Sequence, residues 1–165
     1  MISAHGCSTI SQLFEQRVNS MPNKVALREK DFGIWNEYTW QAYGDHARWI
    51  GLGLKALGLT RGDVCSIASE VNKEWMFADM GIICIGGVTN GVYPTDAANQ
   101  VAYLINDSQT RYYFAENEEQ LDKVLAVRQD TPSLQKIIIF DMEGLRNFSD
   151  PDCISLHELI QMGKD

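Results

Sequence analysis

The residues of this chain that could do chemistry are glycine clusters, three histidines, a few isolated carboxylates and four cysteines, and their spacing assigns most of them to packing. Gly51 and Gly53 with Gly58 suggest a dinucleotide fingerprint. That fingerprint works by bringing backbone N–H groups at a helix start against a pyrophosphate, just after a strand. These glycines lie inside a helical pattern, so close helix packing is their expected role, at about 1 kcal/mol each in helix propensity. Gly86-Gly87 follows a helix and precedes a strand, the reverse of the phosphate-loop order, and reads as a helix stop. His5, His46 and His157 have no second histidine or carboxylate at ligand spacing and read as surface or packing residues. Asp79 lies among Trp75, Met76, Ile82 and Ile83; if buried, it needs a hydrogen-bond partner or a shifted pKa, and a satisfied structural role is expected. Met76 and Met80 read as core filler. Asp107, Glu116 and Asp141 border predicted strands, but Ser69-Glu70-Val71 and the segment after Phe140 lack the acidic pair and lysine of a phospho-receiver. Cys7, Cys65, Cys84 and Cys153 form no C-x-x-C pair, and Cys65 and Cys84 are expected as buried free thiols. Spacing therefore names no catalytic, cofactor-binding or metal-ligating residue.

The elements that would position any site are clearer. Thr9 with Gln12 forms a capping-box pattern, followed by Ile10, Leu13, Phe14 and Val18 on one helical face, and Pro22 ends that helix. Val25–Arg28 and Glu37–Thr39 flank a Lys30-Asp31-Phe32-Gly33 turn and suggest two short paired strands. Thr39 then caps a long helix with the inner face Trp40, Tyr43, Ala47, Ile50, Leu54 and Leu57, which Gly58 stops. Beyond it, strand-like runs near 64–68, 88–92, 112–115 and 137–140 alternate with helical patterns. Such alternation predicts βαβ units with right-handed crossovers, hence a parallel sheet with helices on both faces. A short amphipathic helix is expected from Ser155 onward. The predicted organisation is one domain or lobe over 1–165: helix, paired strands and long helix over 9–57, a βαβ core over 63–141, and a C-terminal extension over 142–165.

Composition narrows the partners. The 165 residues are 45% hydrophobic and 22% charged, which suits a globular core and excludes a disordered or fibrous chain. Fourteen basic residues against 22 acidic ones give a net charge of −8. Without a basic run, nucleic acid is not an expected partner, and contact with an anionic membrane is not indicated. The N-terminal residues show no secretory pattern, and the longest apolar stretch, Met80–Val88, is too short for a bilayer. A cytoplasmic setting is expected.

Several ordered motifs carry a family resemblance. Tyr38-Thr39-Trp40-Gln41-Ala42-Tyr43 resembles the first core motif of adenylate-forming enzymes. The run Gly62-Asp63-Val64-Cys65-Ser66-Ile67-Ala68-Ser69-Glu70-Val71-Asn72-Lys73-Glu74-Trp75 is similar to a signature of AMP-forming acyl-CoA synthetases, and Gly86–Thr95 to their second core motif. Tyr93-Pro94-Thr95 followed by Gln100–Ser108 resembles the long-chain fatty-acid ligases. The match runs from about Thr9 to Phe140. One departure is local: where family members commonly place a proline after the glycine pair, this chain reads Thr89-Asn90-Gly91.

The resemblance implies a partial N-terminal lobe of an ATP-dependent long-chain fatty acid–CoA ligase. In the intact enzyme, a fatty-acid carboxylate attacks the α-phosphate of Mg-ATP to give acyl-AMP and pyrophosphate, and CoA then displaces AMP. ATP, Mg and CoA are thus cofactors implied for the intact enzyme, with none assigned to this segment. The expected partners are the remainder of the ligase and its fatty acid substrate. A Gly/Ser/Thr-rich phosphate loop with its lysine does not occur in the sequence. The chain is therefore expected to stop before the ATP-binding loop and to be inactive alone. Two other readings stand beside this one: a stand-alone protein-interaction module, and a flavodoxin-like domain binding a mononucleotide around Ser69, Tyr93 and Glu116. A lobe cut from a larger body is also expected to self-associate through exposed apolar surface.

Overall fold

The computed structural model describes residues 5–165. Helix α1 (Ile10–Ser20) starts at Thr9, whose hydroxyl accepts the Gln12 N–H. Gln12 does not complete a capping box: its side-chain oxygen accepts the Ser8 N–H at 2.8 Å instead of that of Thr9. Strands β1 (Val25–Asp31) and β2 (Ile34–Thr39) form an antiparallel hairpin longer than expected. Its turn is confined to Phe32 and Gly33, both at positive φ (45° and 85°), the twist that a two-residue hairpin loop requires. Thr39 caps α2 (Trp40–Ala56) through its hydroxyl, as expected.

The main sheet is built from β3 (Val64–Ala68), β4 (Val88–Val92), β5 (Thr110–Ala115), β6 (Lys136–Ile139) and β7 (Cys153–Ser155), all parallel, in the order β4-β3-β5-β6-β7. β3 and β4 match their expected limits. β5 starts two residues early, because buried Thr110 joins a polar chain: its hydroxyl meets Ser66 Oγ at 2.6 Å and Ser108 Oγ at 2.7 Å. β7 and the helix after it mean that residues 142–165 supply a sheet strand and part of the core.

Helices cover both faces. α2, α3 (Lys73–Cys84) and α6 (Leu156–Lys164) bury Ile50, Leu54, Phe77, Ile82 and Leu159 against Cys65, Ile67, Tyr112 and Phe114. On the other face α4 (Ala98–Ser108) and α5 (Glu118–Ala126) bury Val101, Ile105, Leu121 and Val124 against Tyr113, Ile137 and Ile139. The glycines inside α2 serve close packing. A Cβ on Gly51 would lie 2.9 Å from the Gly81 carbonyl oxygen, and one on Gly53 2.2 Å from that of Leu159. Met80 is buried in this core and Met76 packs against it.

One side-chain placement differs from expectation. Cys84 is exposed, because the buried face of α3 is set by Phe77, Ala78, Gly81 and Ile82, and two residues further turn a helical side chain about 200° away. Asp79 is half-buried, not enclosed in the core.

Candidate functional site

In parallel α/β sheets, the loops leaving the carboxyl ends of the strands are the usual place for a site, above all where the strand order reverses. Here that reversal lies between β3 and β5, where successive crossovers leave toward opposite edges. The loops after β3, β5 and β6 meet the β1–β2 hairpin around a cleft of about 510 Å³.

Its floor is a hydrogen-bond network closing on Glu116. Asn72 caps α3, its side-chain Oδ1 accepting the Trp75 N–H at 2.8 Å. The Asn72 amide donates to Ser69 Oγ at 3.0 Å and to Glu116 Oε1 at 3.5 Å. The Glu70 N–H donates to Glu116 Oε2 at 2.9 Å. The backbone of Glu116 is itself fixed, donating to the Ala68 carbonyl and accepting from the Asp141 N–H. Ser69 and Glu116 therefore come together at the reversal point, whereas Tyr93 stays apart, 76% exposed and outside the cleft.

The wall is an ion cluster. Lys73 Nζ lies 2.8 Å from Glu29 Oε2 on the hairpin and 2.9 Å from Glu74 Oε1, and sits over the Tyr38 ring. Partial burial alone would raise the Glu29 carboxyl. The hydrogen bonds and charge of Lys73 outweigh it and hold the group below the usual carboxylate range. Five carboxylates (Glu29, Asp31, Glu74, Glu116 and Asp141) and two lysines (Lys30 and Lys73) line the cleft.

The histidines lie elsewhere. His46 stacks on Phe77 and meets the edge of Trp49, with its Nδ1 at 2.8 Å from the Ala42 carbonyl oxygen, while His5 and His157 are exposed. Among the described residues, no group of three or more His, Cys, Asp or Glu side chains is placed to hold a metal ion. A second cavity, about 280 Å³, lies between α1, α2 and α3 against Phe14, Val18, Ala47 and Ile85.

Residues 14–155 match the family of AMP-binding enzymes. The chain belongs to that family. A long-chain-fatty-acid–CoA ligase of Xenopus laevis is 33% identical over 157 residues, which cover 95% of this chain and 21% of the relative. One from Mycobacterium tuberculosis is 30% identical over 117 residues, covering 71% of this chain and 20% of that protein. The chain thus spans about a fifth of the length of these curated relatives. The adenylation domain of a carboxylate reductase from Mycobacterium chelonae superposes over 99% of this chain and 30% of its own, with a TM-score of 0.81 at 15% identity. Coronafacic acid ligase from Pectobacterium brasiliense superposes over 92% of this chain and 29% of its own, with a TM-score of 0.80 at 17% identity. The parallel sheet, its flanking helices and the hairpin are therefore the N-terminal architecture of adenylate-forming enzymes.

The residues lining this cleft do not fit an ATP phosphate. The Glu70 N–H beside the start of α3 is already given to the Glu116 carboxylate, and the surrounding carboxylates outnumber the lysines. In the sequence Glu116 shows only as a carboxylate at a strand border, without its bonds. They close across 46 and 44 residues, and no local spacing signals them.

Proposed function

We propose that this chain is the supporting N-terminal portion of an ATP-dependent long-chain fatty acid–CoA ligase, which forms acyl-adenylate and then acyl-CoA when intact, and that these 165 residues alone are inactive. One observation carries the reading: the family match over residues 14–155, joined to ligase relatives about five times longer. The chemistry of the cleft agrees with it. Glu116 ties the loops after β3, β5 and β6 together, a positioning role that leaves phosphate, Mg and CoA to be gripped by other parts of the ligase. The remainder of the enzyme is then the principal partner, with fatty acid as its substrate, in the cytoplasm.

The test is a paired assay with ATP, magnesium, fatty acid and CoA. The 165-residue chain is expected to release no pyrophosphate above blank, and the polypeptide encoded by a reading frame continuing past Asp165 is expected to form acyl-CoA. Turnover by the shorter chain overturns the proposal. The apolar hairpin tip, where Phe32, Ile34 and Trp35 are each more than half exposed, supports self-association of the isolated chain. Sedimentation velocity across a concentration series measures it, and an unchanged monomer up to millimolar concentration contradicts it.

A further inference from the structure

The β1–β2 hairpin ends on chemistry that its own folding does not call for. A two-residue loop with both residues at positive φ favours Asn-Gly or Asp-Gly, because a short polar side chain tolerates that backbone. This loop is Phe32-Gly33, with Phe32 at φ 45° and 100% exposed. A bulky side chain at positive φ is strained, and a ring wholly in water gains nothing from packing. Ile34 and Trp35 follow it, 68% and 62% exposed. A break with local preference that the fold does not compensate marks a position that serves something outside the fold.

The hairpin also holds this apex away from the body. Ala26, Leu27 and Tyr38 pack against the core at its base, and Lys73 binds Glu29 midway. Asp31 and Ile34 form the last ladder pair, so only Phe32 and Gly33 lie beyond it. Behind the apex the chemistry changes in order. Lys30 lies opposite Trp35 with its ammonium 6.0 Å from the ring centre, and Arg28 lies opposite Glu37, ion-paired at 2.9 Å. Lys30 and Asp31 make no ion pair among the described residues. An apolar point, then an indole, then free charge is the layering of a lipid interface. Hydrocarbon takes Phe and Ile, Trp sits at headgroup depth, and a lysine stem reaches back to phosphate.

Size and charge select the occupant. A stable protein interface takes about 800 Å² from each partner, whereas one buried aromatic side chain supplies about 150–250 Å². Three side chains on a projecting point therefore fall short of a specific dimer, and between copies in water they give weak adhesion. A bilayer needs no complementary shape. At a net charge of −8 the chain is repelled by anionic lipid. The tip itself is neutral, and a zwitterionic headgroup matches both its free charges, phosphate for Lys30 and ammonium for Asp31.

We propose that the β1–β2 tip is an interfacial anchor that inserts Phe32, Ile34 and Trp35 into a zwitterionic lipid surface. Cosedimentation of the 165-residue chain with phosphatidylcholine vesicles tests it. Phe32→Asn places the preferred Asn-Gly pair in the loop and so keeps the hairpin, and Trp35→Thr keeps strand propensity. The wild-type chain is expected to pellet with the vesicles, and the vesicles to disperse its self-association. Phe32→Asn is expected to lower the partition coefficient at least about tenfold and Trp35→Thr to lower it severalfold. Replacing part of the phosphatidylcholine by phosphatidylserine is expected to weaken binding. No pelleting with phosphatidylcholine, or equal partition of wild type and Phe32→Asn, overturns the inference. Pelleting with anionic vesicles alone overturns it too, as does self-association that vesicles leave intact, the mark of a second copy as occupant. Binding is read without turnover, so its failure leaves the ligase reading standing, and an inactive longer polypeptide leaves the anchor standing.

Discussion

Gly53 shows how one missing side chain sets the distance between two helices. Its Cα faces the Leu159 carbonyl so closely that an added Cβ would lie 2.2 Å from the oxygen, a backbone atom that no rotamer change can move. Gly53→Ala should gain up to about 1 kcal/mol in helix propensity and lose about 1–3 kcal/mol to overpacking, for a net loss. Urea unfolding is expected to show a lower midpoint for Gly53→Ala and an almost unchanged one for Gly91→Ala, whose added Cβ meets nothing. At the same scale, Asn72 holds three partners at once: the Trp75 N–H, Ser69 Oγ and Glu116. Asn72→Ala should destabilise by about 1–2 kcal/mol through the lost cap. Asn72→Asp should keep the cap yet fall between the two, because it removes the amide donor and sets a second carboxylate against Glu116. Thermal denaturation of the three proteins orders them.

Elements were legible where local pattern and tertiary role agree. Val64–Ala68 and Val88–Val92 are short runs between helical patterns, and both became strands over those residues. The inner face of α2 followed from the three-and-four spacing of Tyr43, Ala47, Ile50 and Leu54, all buried. β7 was not legible, since Cys153-Ile154-Ser155 is too short to show alternation and no helix announces it. It is a strand because β6 offers it a ladder. Cys84 misled for a related reason: α3 is apolar nearly all round, so periodicity could not say which side faces the core. The site was less legible than the fold. Glu116, Asn72 and Lys73 acquire their meaning from partners more than 40 residues away, across a cleft that exists only once the sheet and hairpin are assembled.

Across the whole molecule, two ion pairs tie distant segments together. Arg111 on β5 reaches Asp63 before β3, and Lys73 on α3 reaches Glu29 on the hairpin. Burial would raise the Asp63 carboxyl, but hydrogen bonds from Thr60 and the Arg111 charge hold it below its ordinary value, as Lys73 does for Glu29. A carboxylate with a depressed folded-state pKa stabilises fully above its unfolded value, near 4, and loses that contribution as pH falls through the folded value. Tm is therefore expected to be level near neutrality with respect to these groups and to fall below about pH 4, with Asp63→Asn flattening part of the acid limb. A curve whose acid limb is the same in wild type and Asp63→Asn contradicts this assignment. α6 carries a different consequence. It is seated so tightly on α2 that a Cβ on Gly163 would lie 1.8 Å from the Trp49 carbonyl oxygen, and β7 is threaded into the sheet beside β6. The loop between β6 and β7 is largely exposed, with Arg146 at the surface. A trypsin cut after Arg146 should therefore release nothing: the nicked protein is expected to elute as one particle and to separate into two pieces only in denaturant.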